Sequence, residues 1–110
     1  MPLDADRIRV QHMCDALKEV IVFSKEKTLQ DLYSDRQLSL ALVKEIEIVG
    51  EAASKVSLAF RKQHKNIPWD VIIHTRNRLV HGYFDIDYKI VWQTVQYDVP
   101  QLLSQLKKLF

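Results

Sequence analysis

The sequence predicts an all-α fold, an antiparallel bundle of four long helices, or five if a proline splits the last. Three observations carry this. Apolar residues recur at steps of three and four along most of the chain. Strand-like alternation never lasts more than a few residues. Apolar residues make up 47% of the 110, with only 2 Gly and 3 Pro, which is the composition of regular folded structure and not of a disordered chain. That length predicts one domain spanning residues 1–110.

The first helix is expected from Ala5 to Phe23, where Val10, Cys14, Leu17 and Ile21 form a stripe widened by Met13 and Val20, with Asp4 as N-cap. Residues 24–34 are polar and read as a connection. The second helix shows the longest rhythm: Leu38, Leu42, Ile46, Val49, Ala53, Val56 and Phe60, with Ser34 or Asp35 to cap its start. Gly50 lies inside it at a cost of about 1 kcal/mol relative to alanine, which predicts a neighbouring helix in close approach. Residues 61–67 read as a basic loop ending at Pro68, a residue suited to a helical first turn. A third helix follows from Trp69 to Val80, with Gly82 as its C′ stop. The last helix starts near Asp87 and buries Val91, Val95, Leu102, Leu106 and Leu109. Pro100 interrupts it, and Asp98 with Gln101 resembles a capping box at which the helix restarts.

A single cysteine, Cys14, excludes an intramolecular disulfide and a cysteine-rich metal site, and it fits a reducing compartment. Charged residues from Asp4 onward argue against a signal peptide, and no apolar run approaches the ~20 residues that span a bilayer. The expectation is a soluble cytoplasmic protein with no membrane association. The formal net charge is only +2, but residues 61–81 carry five Lys or Arg against one Asp. That cluster is either a solvated face or a local phosphate-attracting patch.

Arg76 shares a helical stripe with Trp69, Ile73 and Val80, so its guanidinium needs a carboxylate or a wet cleft. Glu45, Glu47 and Glu51 are the available partners. His81 lies five residues on, about 140° round an ideal helix, so a break at Gly82 is needed to redirect it and Tyr83 toward Arg76. His12, His64, His74 and His81 show no metal-ligand spacing supported by carboxylates, and neither a metal nor another cofactor is expected.

The stretch Arg76-Asn77-Arg78-Leu79-Val80-His81-Gly82-Tyr83 resembles the HEPN signature, in which an arginine and an adjacent polar residue precede a histidine by a few positions. With Tyr83 two residues after His81, it is similar to the HepT branch of that family. Ile67-Pro68-Trp69 and Ile48-Val49-Gly50-Glu51-Ala52-Ala53 carry the resemblance further, over nearly the whole chain. The resemblance implies a helical bundle that dimerises and gathers the Arg/His motifs of both copies in one cleft. It implies a metal-independent endoribonuclease, the toxin of a toxin–antitoxin pair. The antitoxin would be an MntA-type nucleotidyltransferase that silences the toxin by AMPylation of the motif tyrosine, here Tyr83.

The chemistry is consistent with those residue types. RNA brings its own nucleophile, the 2′-hydroxyl, and a histidine titrating near neutrality exchanges protons with it or with the leaving oxygen. Arg76 suits a phosphate, and Asn77 can orient either group. Catalysis is thus assigned to Arg76, Asn77 and His81. Arg78, His74 and Lys65 are candidates for RNA-phosphate contact, although His74 and Arg78 on other helix faces also read as plain solvated positions. Trp69 and Trp92 read as core or interface anchors ahead of base-stacking platforms. The competing function is a non-catalytic HEPN module binding a nucleotide or a partner in the same cleft, and a degenerate module is expected to lose Arg76 or His81.

Overall fold

The long amphipathic stretches become two lengthwise-packed helices, α1 (Pro2–Ser24) and α3 (Arg36–Ser54). The computed structural model describes residues 2–82 and 85–110, with side chains from residue 5 onward. Val10, Met13, Cys14, Leu17 and Val20 of α1 are buried, as are Leu38, Leu42, Ile46, Val49 and Ala53 of α3. Ile21 departs from its expected place: it is 39% exposed, and the buried stripe continues through Val20 to Ser24. Helix α1 starts at Pro2, so the position of Asp4, the expected N-cap, falls inside the helix.

Asp6 shows how the two helices run. It sits near the start of α1, 5% exposed, and accepts from the backbone N–H (2.8 Å) and the hydroxyl (2.7 Å) of Ser57, just beyond the end of α3. The helices are therefore antiparallel. The same bond explains a correction. The rhythm from Leu38 to Phe60 is not one helix: α3 stops at Ser54, and Ser57 caps a separate helix α4 (Leu58–Gln63) by accepting from Phe60 N–H. Val56 and Phe60 are buried all the same. The expected loop 61–67 is thus partly helical. Arg61 turns back to donate to the carbonyls of Val56 (3.1 Å) and Ser54 (2.7 Å), satisfying the end of α3.

The stretch 24–34 also holds a helix that the polar composition hid. In α2 (Leu29–Ser34), Thr28 and Asp31 form a capping box, and Leu32 is wholly buried. Asp35, one of the two expected caps, starts α3, and Ser39 donates to the Leu32 carbonyl at 2.5 Å.

The last helix runs as α7 (Tyr88–Gln93), a π-helical turn (Thr94–Asp98) and α8 (Val99–Lys107). Asp98 makes no side-chain cap, so the expected capping box is absent. Instead, the Val99 N–H reaches five residues back to the Thr94 carbonyl, and this wide turn accommodates Pro100 without ending the helix. Val91, Val95, Val99, Leu102, Leu103 and Leu106 are buried from this side. Phe110 stacks on Phe60 at 5.7 Å and lies under the guanidinium of Arg7, which places the end of α8 beside the start of α1. Among the described residues, no helix is long and apolar enough to cross a membrane.

Candidate functional site

The motif segment is built from short pieces. Pro68 precedes α5 (Trp69–Ile73), whose Trp69 is buried and donates its indole N–H to the His64 carbonyl at 3.0 Å. Trp69 is a core anchor, with Phe60 edge-on at 6.3 Å, and Trp92 packs partly buried against the same core. Helix α5 crosses α3 at Gly50, as expected from that glycine: a Cβ there would stand 3.0 Å from the Ile72 carbonyl oxygen.

The predicted helix from Trp69 to Val80 breaks twice. After Ile73 the chain makes a turn and resumes as α6 (Arg76–Leu79). Val71, Ile72, Ile73 and Thr75 are β-branched and weak helix formers, which suits an interruption there. At Val80 the backbone becomes extended (φ −130°, ψ 124°). Strand β1 (Val80–His81) then pairs antiparallel with β2 (Asp85–Ile86), and His81 lies opposite Asp85. Gly82, at φ +76°, serves the hairpin turn, a conformation that favours glycine, instead of stopping a helix.

This geometry gives Arg76 and His81 different carboxylate partners. Arg76 Nε donates to Glu47 Oε1 of α3 at 2.8 Å, so Glu47 is the partner among the three glutamates considered. The Arg76 side chain is 54% exposed, and Nε is its only nitrogen with a hydrogen-bond partner among the described residues. It rims a groove of about 260 Å³ between α3 and α5, lined by Glu47, Gly50, Glu51 and Ile73. His81 is redirected, but toward the start of α7: its Nε2 stands 3.6 Å from Asp87 Oδ2. Asp87 caps α7 by accepting from Ile90 N–H at 3.2 Å, and its own N–H donates to the Leu79 carbonyl at 2.8 Å.

Within one chain, then, no hydrogen bond joins Arg76 to His81, and His81 does not line the Arg76 groove. Asn77 and His74 are exposed, and Arg78 is exposed beside a separate groove of about 380 Å³ between α5 and α8. Lys65 is exposed in the turn before α5 and bonds to none of the motif residues. Tyr83 lies outside the described residues. Among the described residues, no group of three or more His, Cys, Asp or Glu is placed to hold a metal ion.

Asp87 was legible only as a helix start, not as the partner of His81. The missing signal was the hairpin. Once His81 faces Asp85, Asp87, two residues on and still extended at the cap of α7, projects on the same face.

The model of a family described as "Ribonuclease HepT-like" matches residues 13–109. A protein of Thermococcus cleftensis named "Probable ribonuclease HepT" is 30% identical, over 91% of this chain and 91% of its own. One from Caldanaerobacter subterraneus subsp. tengcongensis named "Putative RNase TTE0752" is 32% identical, over 91% of this chain and 89% of its own. A third, from Methanocaldococcus jannaschii, is named "Gamma-glutamylcyclotransferase and putative RNase MJ0434"; it is 29% identical over 94% of this chain, which spans 46% of it. No solved structure matches the chain.

Proposed function

The chain belongs to the HepT-like ribonuclease family, and on that footing we propose that it is a metal-independent endoribonuclease, the toxin half of a toxin–antitoxin pair. The observation that supports it most is the exposure of Arg76 and His81 on adjoining short elements, each steadied by one carboxylate with polar atoms left over. The free edge of the Arg76 guanidinium suits the scissile phosphate. In the reaction, the ribose 2′-oxygen bonds to phosphorus and gives up its proton, the bond to the 5′-oxygen breaks, and that oxygen takes up a proton. His81 exchanges one of these protons, and the product is a 2′,3′-cyclic phosphate.

A two-fold dimer brings a second Arg76 and His81 to the same substrate and supplies what one chain lacks. The test is cleavage of RNA by purified protein in EDTA. His81→Ala and Arg76→Ala should each abolish cleavage and growth inhibition without loss of helicity. Full activity in either variant refutes the assignment, and a requirement for Mg²⁺ refutes metal independence. Light scattering should give a dimer at micromolar concentration.

Tyr83, two residues beyond His81, is the proposed control point. An MntA-type nucleotidyltransferase would transfer AMP from ATP to its hydroxyl, releasing pyrophosphate. The attached phosphate then competes with RNA for Arg76. Mass spectrometry should locate AMP on the Tyr83 peptide, and Tyr83→Phe should remain toxic beside the antitoxin.

One observation favours the second reading, a non-catalytic module: His81 lies outside the groove that Arg76 rims. A chain that binds RNA or a nucleotide but never cleaves it, as monomer or dimer, would establish that reading.

A further inference from the structure

We propose that Asp87 is a positioning residue for His81, holding the imidazole so that Nδ1 is the nitrogen left for proton transfer. The catalytic part of this rests on the ribonuclease reading; the contact itself does not.

Asp87 is fixed from three directions. Its N–H donates to the Leu79 carbonyl at the end of α6, which ties it to the element that precedes His81. Its Oδ1 accepts from Ile90 N–H at 3.2 Å as the cap of α7. Its Oδ2 is the remaining oxygen and stands 3.6 Å from His81 Nε2. The hairpin controls the other side of the contact, since His81 is paired opposite Asp85 and its backbone cannot rotate freely. A carboxylate only accepts, so the group facing it must be Nε2–H. In a neutral imidazole that leaves Nδ1 as the acceptor, because the partner of one ring nitrogen sets the state of the other. The contact is slightly longer than a hydrogen bond, and an imidazole that is 58% exposed has room to rotate and close it. Asp87 exchanges no proton in this scheme.

Capping and positioning are separable by substitution. Serine and threonine are good N-caps but too short to reach the imidazole from the cap position. Asparagine has a single acceptor oxygen: if that oxygen keeps the cap, its NH2 faces Nε2, a donor where Asp87 presents an acceptor.

The experiment uses the full chain labelled with ¹⁵N-histidine. Long-range ¹H–¹⁵N correlation of the neutral His81 ring should show the Nε2–H form almost alone, as an ordered contact requires. In Asp87→Ser the two tautomers should mix while far-UV circular dichroism is unchanged. RNA cleavage by the same variant should show kcat reduced about tenfold with KM nearly constant, less than the ~10²–10⁴ that the acid–base group itself contributes. Asp87→Asn, which caps with its oxygen and faces Nε2 with a donor, should favour the Nδ1–H form and leave kcat reduced. Mixed tautomers in the parent chain, or a pattern and kcat unmoved by the serine variant, would overturn the proposal. If Asp87→Ser loses helicity, Asp87→Thr takes its place and the parent spectrum still decides the contact. A parent chain that cleaves no RNA but shows the single tautomer would refute the ribonuclease reading and leave the Asp87–His81 contact standing.

Discussion

The seam between α1 and α3 and the segment from Trp69 to Asp87 are held by different physics. The seam is two long helices whose facing residues, Met13, Leu17, Leu42 and Ala53 among them, are all but inaccessible to solvent. Its stability is spread over many apolar contacts. The second segment consists of helices of five and four residues and two strands of two residues, which bury little beyond Trp69, Ile72, Leu79 and Ile86. It depends on single ties: the Gly50 crossing, the Arg76–Glu47 pair, and Asp87. Short elements can aim polar side chains outward in several directions, as one continuous helix cannot. Substitutions in the seam should therefore cost folding, whereas those in the second segment should cost activity.

The seam should respond most strongly. Leu42→Ala removes a fully buried side chain and should destabilise the fold by about 2–5 kcal/mol in urea unfolding. Gly50→Val comes next, because it adds bulk where a Cβ already meets backbone at 3.0 Å. Overpacking of that kind costs about 1–3 kcal/mol, and here it also displaces α5, so cleavage should fall together with stability. Glu47→Ala tests the opposite case. The Arg76–Glu47 pair is largely at the surface, so its loss should change stability by no more than about 1 kcal/mol, while RNA cleavage falls because Arg76 loses its orientation. A Glu47→Ala variant as unstable as Leu42→Ala would erase the distinction between the two regions.

The smallest effect concerns a flaw within the seam. Burial, and then the nearby Glu19 carboxylate, push the carboxyl of Glu45 above the usual glutamate range. Its Oε2 is buried without a hydrogen-bond partner among the described residues, which a proton shared with Glu19 would relieve. A carboxyl with a raised folded-state pKa contributes stability at low pH and loses it as pH rises through that value. Glu45→Gln, neutral throughout, should therefore be more stable than the parent at pH 7. The gain should shrink as pH falls from the raised value toward the ordinary glutamate value of 4.5, and be gone below it. A constant gain across that range would show that the charge is not its origin.

Burial was more legible in the sequence than continuity. Every apolar residue assigned to the rhythm from Leu38 to Phe60 is buried, yet the helix ends at Ser54. Periodicity reports which side faces the core, and the turn 55–57 preserves that side because Asp6, about fifty positions earlier in the chain, holds Ser57. A bond of that separation leaves no local signal. The helix α2 was hidden for the opposite reason: its signal is the Thr28–Asp31 capping box, which carries one buried leucine and little amphipathic pattern. At the candidate site, residue types named Arg76 and His81, and composition offered three glutamates for Arg76 without choosing between them. The choice of Glu47, and the turn of His81 toward Asp87, follow from where α6 and the hairpin lie, which pairwise spacing along one helix does not encode.

The π turn at Thr94–Asp98 bears on how this chain tolerates changes of length. Each residue added to or removed from a regular α-helix rotates everything beyond it by about 100°. A π turn is such an extra residue already absorbed, with the flanking segments still in phase: Val91 before it and Leu102, Leu103 and Leu106 after it are all buried. Deleting one residue within 94–98 would return the helix to ordinary geometry and keep those faces inward, with the ring of Pro100 then crowding the preceding turn. The same deletion between Leu103 and Leu106 would swing the remainder of α8 out of the core. Deletion at the π turn should therefore keep the core face at the cost of strain at Pro100, whereas deletion beyond Leu103 should lose the core face itself.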